Sequence, residues 1–237
     1  MNESLKALSE LDPVAFRNID VGLKPILEWF DICDAIWVHN GDPAKPHAEL
    51  TSGKCSNAFF DCLRVLKFVN LSEILANQLA RKIRSVIGDT RVDWVIGSPM
   101  AGITFAHDVA RVIGAPISAF VEKDLSDPDK MLWKRLAIPE GKNVLQIEEL
   151  ITTSKTTNAV QAAINESNPN PVNWLPVIGV LVHRPPKLPV SEYGGRQVIP
   201  VIEREVWAVS PEDCPLCKAG SVRYRPKTHW RELTGKA

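Results

Sequence analysis

Val144-Leu-Gln-Ile-Glu-Glu-Leu-Ile-Thr-Thr-Ser-Lys-Thr-Thr157 is the stretch from which the fold of this chain can be predicted. It begins as an apolar run, continues with the adjacent carboxylates Glu148 and Glu149, and ends in a hydroxyl-rich turn before a helical pattern. A helix N-terminus presents unpaired N–H groups and partial positive charge, which suit a phosphate. Taken alone, the turn is typical of a capping cluster after two solvated glutamates. The whole arrangement instead predicts a phosphate site, with carboxylates available to sugar hydroxyls.

Strand-like and helix-like segments alternate around this stretch. Apolar runs typical of buried strands lie at residues 93–97, 115–121, 143–147 and 177–182. Amphipathic helical patterns lie at residues 72–87, 102–113 and 156–166. Such alternation predicts an α/β fold, a mostly parallel sheet covered by helices on both faces. Ligands of such sheets bind beyond the carboxyl ends of the strands, so we expect the chemistry in the loops after Ile96, Val121 and Ile147.

Further predictions concern the ends of the helices and the N- and C-terminal regions of the chain. Ser72 is predicted to cap the first helix, while Gly88 and Gly114 are predicted to end the first and second helices. Residues 1–50 and 185–237 lie outside the alternation and are expected to be additions around one domain. The division we expect is a hood with N-terminal elements at 1–70, a core at 71–184 and a C-terminal extension at 185–237.

Composition narrows the class of protein. The 237 residues include 28 basic and 28 acidic ones, so the net charge is zero and predicts neither a nucleic-acid nor a membrane partner. The N-terminus is acidic within three residues, unlike a signal peptide, and prolines interrupt the least charged stretch at 166–184. Five cysteines are an odd number, which does not indicate a disulfide framework. We therefore expect a soluble, cytoplasmic protein.

The stretch at 144–157 resembles the phosphoribosyl diphosphate (PRPP) loop of type I phosphoribosyltransferases, in which two acids and two apolar residues precede Thr-Thr, glycines and Ser/Thr. The resemblance implies that Glu148 and Glu149 hold the ribose hydroxyls. It also implies that the 5′-phosphate lies in a loop formed by Thr152, Thr153, Ser154, Lys155, Thr156 and Thr157. Ser154 and Lys155 replace the usual glycines, so a positive φ there would be strained.

Two further segments are similar to orotate phosphoribosyltransferases within that family. Ser52-Gly-Lys-Cys-Ser56 followed by Phe59-Phe60 resembles an N-terminal motif. This likeness implies that Lys54 and the backbone of Phe59 and Phe60 contact the base or the diphosphate. Phe120-Val-Glu-Lys-Asp124 resembles the segment before the mobile catalytic loop, with Lys123 matching its lysine.

Gly97-Ser-Pro-Met-Ala-Gly102 occupies the place of the family's diphosphate loop. Backbone N–H groups at a helix start suit diphosphate oxygens, which makes Ser98, Met100 and Ala101 candidate PRPP contacts. Ala101 stands where the family often has a lysine. A serine-hydrolase elbow would need glycine at Ile96, so that alternative fails.

The polar segment 124–138 is predicted to be mobile, and a flexible solvated loop without a catalytic role is the alternative. The resemblance places a catalytic lysine in this loop, often acting in the neighbouring subunit's site. Lys130, Lys134 and Arg135 are the candidates, and we select Lys130.

Cys214-Pro-Leu-Cys217 has the spacing of half a zinc site. Cys33, Cys55, Cys62 or histidines would have to converge on it, or a dimer would have to supply a second pair. A reduced turn without metal is the favoured interpretation, and no metal ligands are predicted. The segment also resembles the ending of some orotate phosphoribosyltransferase-like proteins.

Together these resemblances imply a Mg2+-dependent transfer of ribose 5-phosphate from PRPP to a nitrogen base, with orotate as the expected acceptor, by a homodimer. Another base is one alternative. The other is a regulator that senses PRPP without catalysis, which the altered loop glycines favour and the lack of a DNA-binding module opposes.

Overall fold

A computed structural model of the chain describes residues 3–127 and 130–236. A short 3-10 helix spans Pro13–Phe16. The α-helices are α1 (Glu3–Ser9), α2 (Leu23–Ile32), α3 (Leu63–Leu66), α4 (Val69–Ile87), α5 (Ala101–Ile113), α6 (Lys155–Ser167), α7 (Pro215–Lys218) and α8 (Trp230–Thr234). The strands are β1 (Ile36–Val38), β2 (His47–Glu49), β3 (Cys55–Ser56), β4 (Ala58–Phe60), β5 (Trp94–Gly97), β6 (Ile117–Phe120), β7 (Glu122–Lys123), β8 (Met131–Leu132), β9 (Asn143–Ile151), β10 (Asn173–His183), β11 (Glu192–Tyr193), β12 (Arg196–Glu203), β13 (Ala208–Val209) and β14 (Arg223–Tyr224).

The central sheet has six strands in the order β11-β12-β10-β9-β5-β6. Every neighbouring pair is parallel except the edge pair β11–β12. The four predicted strands are therefore confirmed. The prediction that residues after 184 lie outside the core is wrong at β12, which contains Pro200 and lacks the pattern of a central strand. The proline is tolerated because β11 pairs only with Arg196 and Gln197 of β12.

Helices cover both faces of this sheet, as predicted. Helices α4 and α5 pack on one face, where Val95 and Leu145 join the largest hydrophobic cluster. Helix α6 packs on the other face, where Val144 and Val160 belong to a second cluster. The apolar strand residues alternate between these clusters because successive side chains of a strand point to opposite faces.

The predicted helix ends agree with the structure within one residue, except at the start of α4. Gly88 and Gly114 follow α4 and α5 and adopt positive φ values of 57° and 79°, as glycine allows. The prediction of Ser72 as a cap is wrong. Helix α4 begins earlier, at Val69, and the Ser72 hydroxyl donates a hydrogen bond to Asp108 of α5. Ser72 therefore joins two helices instead of starting one.

A small four-stranded sheet in the order β13-β3-β2-β14 forms what we call the hood sheet. The hairpin β2–β3 comes from the N-terminal region. Its two outer strands come from the C-terminal region, which the sequence did not indicate. A two-stranded pair, β1–β4, connects this region to the main core.

Strand β7 directly precedes the segment 124–138 and pairs antiparallel with β8, which lies within it. Pro128 and Asp129 fall outside the described residues. Met131, Trp133 and Ile138 are buried in the cluster beneath α6, so the second half of the segment is anchored by apolar side chains. No helix in the described ranges is long and apolar enough to cross a membrane.

Candidate active site

The candidate site lies where the neighbouring strands β5 and β9 approach their carboxyl ends. Gly97 of β5 is aligned with Ile147 of β9, which places the Ser98 loop beside the acid pair. Strand β9 continues to Ile151, so Glu148 and Glu149 lie within the strand and not after it. Both glutamates line a cleft of about 490 Å³ between the sheet and the hood hairpin.

Glu148 is held in a buried polar network. Its side chain is 1% exposed, and its Oε1 accepts a hydrogen bond of 2.8 Å from Gln146 Nε2. Gln146 Oε1 in turn accepts a 2.9 Å hydrogen bond from Arg196 Nη2 on β12. Burial raises the pKa of Glu148 to about 7, although hydrogen bonds from Ser98 and Gln146 oppose the shift. Glu148 can therefore exchange a proton near neutral pH.

Glu149 is half-buried and faces the Ser98 loop. The Ser98 hydroxyl donates a 3.3 Å hydrogen bond to Glu149 Oε2. Burial raises the pKa of Glu149, while Lys123 acts in the opposite direction. A Cβ on Gly102 would lie 2.7 Å from Ser98 Oγ and 3.0 Å from Glu149 Oε2. Glycine at 102 is thus what allows helix α5 to approach the carboxylate.

The sequence predicted backbone strain at Ser154 and Lys155 in the loop after β9, and the structure shows it at Ser154. Ser154 adopts a left-handed conformation with φ of 59°, whereas Lys155 is already the first residue of α6. Asn158 Nδ2 donates a 3.3 Å hydrogen bond to Ser154 Oγ. The same residue's backbone N–H donates to Ser154 O at 2.8 Å. These contacts stabilise the strained residue at the N-terminus of the 13-residue helix α6.

The cleft brings together half of the predicted site residues. Those that line it are Phe59, Phe60, Ser98, Ala101, Lys123, Glu148, Glu149 and Thr156. Those not among its lining residues are Lys54, Met100, Lys130, Thr152, Thr153, Ser154, Lys155 and Thr157. The phosphate-loop members of the second group lie on the loop and helix start next to Thr156. Their predicted phosphate contacts remain predictions.

Three of the candidates outside the lining have other surroundings. Met100 is 74% exposed. Lys130 is exposed, and its backbone carbonyl accepts a hydrogen bond from Asp124 N, which closes the β7–β8 hairpin. Lys54 is exposed in the turn between β2 and β3, where its carbonyl accepts a hydrogen bond from Leu50 N. In this structure Lys123 is therefore the predicted lysine that reaches the cleft.

The aromatic pair divides between cleft and core. Phe59 is half-buried and packs edge-on against Trp230 of α8, with ring centroids 6.3 Å apart. Phe60 is 4% exposed and packs against Phe30 in the main cluster. Phe59 therefore has the more accessible ring of the two.

Two basic residues of the cleft were missed by the sequence analysis. Arg184 directly follows β10 and lines the cleft, and its buried Nε has no hydrogen-bond partner within the described ranges. Burial lowers the pKa of Arg184. The signal was present, because Arg184 lies just past the predicted strand 177–182, at a carboxyl end where ligands of parallel sheets bind. Lys227, from the C-terminal region, also lines the cleft, and only the fold places it there.

Comparison with known proteins identifies a matching family, relatives and similar structures. The sequence profile of the phosphoribosyl transferase domain matches residues 68–213. An orotate phosphoribosyltransferase of Pelotomaculum thermopropionicum is 33% identical over 192 residues, which cover 81% of this chain and 94% of the relative. One from a Thermoanaerobacter species is 31% identical over 182 residues, which cover 77% and 88% of the two chains. The crystal structure of orotate phosphoribosyltransferase from Aeropyrum pernix superposes with a TM-score of 0.51 at 15% identity, over 75% of this chain and 93% of that one.

Proposed function

Because this chain belongs to the phosphoribosyltransferase family, we propose that it transfers ribose 5-phosphate from PRPP to orotate, giving orotidine 5′-phosphate and diphosphate. The relatives matched over most of the chain are orotate phosphoribosyltransferases, which supports orotate as the acceptor. The observation that carries the proposal is the contact of the acid pair with the Ser98 loop at the ends of β5 and β9.

The reaction breaks the bond between the anomeric carbon and diphosphate, and a nitrogen of the base forms the new bond. Positive charge develops on the ribose ring, and negative charge moves to the leaving diphosphate. Glu148 and Glu149 accept hydrogen bonds from the ribose hydroxyls and offset the ring's positive charge. The N–H groups at the start of α6 hold the 5′-phosphate, and those of the Ser98 loop hold the diphosphate. Lys123, beside Glu149, adds positive charge near the leaving group.

The donor set of the cleft fits Mg2+. This ion prefers carboxylate and phosphate oxygens, and the cleft places Glu149 beside the loop proposed for diphosphate. Glu149 and the oxygens of PRPP would hold the ion, which when bound neutralises charge on the departing diphosphate.

The charge of the cleft favours an anionic base. Orotate carries a carboxylate, and Arg184 brings a guanidinium to the cleft lining, its buried Nε having no hydrogen-bond partner among the described residues. Lys227 adds a second positive charge at the same cleft. Neutral purine bases would leave both cations without an anionic partner from the base.

The proposal is tested by following orotate absorbance with PRPP and Mg2+, with and without protein. We expect orotate consumption that stops when PRPP is omitted. If orotate is not consumed, the same assay with uracil, adenine and hypoxanthine tests the alternative bases. Tight PRPP binding by calorimetry without turnover of any base would contradict an enzymatic role and indicate a sensor.

Arg184→Gln is expected to raise KM for orotate about 10- to 100-fold while changing KM for PRPP much less. The lost interaction is a charge-assisted hydrogen bond to the carboxylate, which contributes roughly 1.5–3 kcal/mol. Steady-state kinetics with each substrate varied separately make the measurement. Lys187→Gln, three residues on and exposed, is the control. Equal changes in both KM values would contradict the assignment of Arg184 to the base.

Glu148 is expected to make stability depend on pH. Its pKa of about 7 in the folded protein lies above the ordinary value of 4.5, so the folded state binds the proton more tightly. The resulting stabilisation is present below pH 4.5 and is lost as pH rises through 7, by up to about 3 kcal/mol. Urea unfolding of ligand-free protein between pH 5 and 8 measures this effect. Glu148→Gln should flatten the profile, and an unchanged profile would show that other groups cause it.

A homodimer in the cytoplasm completes the proposal. An exposed groove near the Ser98 loop is lined by apolar side chains that include Leu63, Val69, Ile103 and Phe120, and a second copy of the chain would cover them. We expect sedimentation equilibrium to give twice the chain mass and Val69→Glu to give the single-chain mass. A single-chain mass for the unmodified protein would contradict this prediction.

The five free cysteines are compatible with a reducing compartment.

A further inference from the structure

Four potential metal ligands meet at the hood sheet, away from the acid pair. His47 and Cys55 lie on the hairpin β2–β3, Cys214 directly precedes α7, and Cys217 lies within α7. Their ligand atoms all lie within 4.8 Å of one another. Cys55 and Cys217 have sulfurs 3.5 Å apart, and His47 Nε2 lies 3.5 Å from Cys214 Sγ and 3.4 Å from Cys217 Sγ. The sequence analysis identified only Cys214 and Cys217, as half of a zinc site.

The histidine is oriented as a ligand by its second nitrogen. His47 Nδ1 lies 2.8 Å from Ser221 Oγ, and that hydroxyl donates its own proton to Lys45 O at 2.6 Å. Since the Ser221 hydroxyl proton is already used, the hydroxyl oxygen must accept from Nδ1–H. Nε2 then carries the lone pair and faces the sulfurs. Fixing a histidine tautomer through the nitrogen remote from the ion is characteristic of metal sites.

The distances suit a tetrahedral ion. Four ligands at about 2.0–2.3 Å from zinc lie roughly 3.5–3.8 Å apart at the corners of a tetrahedron. The backbone N–H of Cys217 also points to Cys214 Sγ at 3.4 Å, a contact that stabilises a thiolate. Thiols hydrogen-bonded to one another are the alternative, but thiols are weak donors and acceptors and would leave this buried imidazole poorly satisfied.

The hood sheet needs a cross-link because its strands are short. They are two or three residues long, and none of the three hydrophobic clusters in residues 3–127 and 130–236 includes a residue from them. Small sheets without a hydrophobic core of their own are commonly stabilised by a structural metal. The four ligands join the hairpin to the connection between β13 and β14, which are the sheet's outer strands.

We propose that His47, Cys55, Cys214 and Cys217 bind one structural Zn2+, which fastens the C-terminal region to the hood hairpin. Binding releases the thiol protons to solvent and involves no redox change. All four ligands come from the protein, so the site is closed and has no catalytic water. The hairpin turn at Thr51 and Ser52 and the C-terminal Lys227 both line the cleft. The ion therefore sets the position of the hood over the active site.

The test begins with the whole protein, purified without chelator or an affinity metal and under reducing conditions. Elemental analysis is expected to give one zinc per chain. Replacing zinc with Co2+ is expected to give the intense visible bands of a tetrahedral cobalt–thiolate centre. Neither measurement depends on catalysis, so a failure of the proposed reaction would not affect them.

Variants locate the ion. Cys217→Ser and His47→Ala are expected to lose zinc, and both should expose the region after residue 205 to proteolysis. His47→Cys supplies a fourth sulfur and should retain zinc, which separates the loss of a ligand from a general loss of folding. Cys33→Ala is the matched control, because Cys33 is also a buried free cysteine but lies outside the cluster.

Three results on the unmodified protein, and one on the variants, would overturn the proposal. The first is reduced protein that holds no zinc and gives no tetrahedral cobalt spectrum when titrated with Co2+. The second is iron with inorganic sulfide in place of zinc. The third is a disulfide among these cysteines in freshly prepared protein. Zinc retained in full by both Cys217→Ser and His47→Ala would also exclude this site.

Discussion

The double variant Glu148→Ala, Glu149→Ala is expected to lose PRPP binding and turnover. Each carboxylate would accept a charged hydrogen bond from a ribose hydroxyl, and such bonds contribute about 1.5–3 kcal/mol each. Together their loss weakens PRPP roughly 10²- to 10⁴-fold. Calorimetry with PRPP and Mg2+ measures the binding, and orotate consumption measures the turnover.

The loss should not follow from unfolding. Glu148 is a buried carboxyl whose pKa is raised by burial, so its removal relieves a desolvation cost in the folded state. Its removal also takes one acceptor from Gln146 Nε2, which still donates to Thr157 O, so the thermal midpoint of the double variant is measured beside its PRPP affinity. Glu140→Ala is the matched control, because Glu140 is exposed in the loop before β9. PRPP affinity unchanged in the double variant would reject both the enzymatic proposal and the sensor alternative.

Gly97→Ala is expected to abolish activity and to lower the free energy of unfolding. A Cβ at this position would lie 2.5 Å from the carbonyl oxygen of Gly102 and 2.8 Å from Ala106 Cβ. The closest atom belongs to the backbone of α5, so the helix itself must move. Overpacking of this kind costs about 1–3 kcal/mol. The same movement would separate Ser98 and Gly102 from Glu149, and we expect kcat/KM for PRPP to fall at least about 100-fold.

Gly114→Ala is the control that separates the loss of stability from the loss of activity expected for Gly97→Ala. Gly114 ends the same helix with φ of 79°, and a methyl group added there would meet no atom of the described residues within 4 Å. Alanine in this left-handed conformation costs roughly 1–2 kcal/mol but leaves the other end of α5 in place. Chemical denaturation and steady-state kinetics on both variants make the comparison. Equal activity losses would mean that instability alone explains the result at Gly97.

The local pattern of the chain was sufficient for much of the fold. Strand, acid pair and hydroxyl-rich turn lie next to one another in sequence, so the α/β class and the positions of Glu148 and Glu149 could be predicted. The four strands followed from short apolar runs, because a parallel sheet is buried on both faces. Strand β12 was missed because Pro200 and its polar start, Arg196-Gln197, obscure that signal.

Contacts between distant segments could not be predicted in this way. Arg196 reaches Gln146 across 50 residues of sequence, and Cys55 meets Cys217 across 162. No local pattern specifies such pairs: the first depends on the strand order of the central sheet, and the second on how the hood sheet combines strands from both ends of the chain. The central sheet and the acid pair were predictable because both arise from residues that are neighbours in sequence. The position of Lys227 in the cleft and the four-ligand cluster required the three-dimensional fold, because contacts between distant segments bring these residues together.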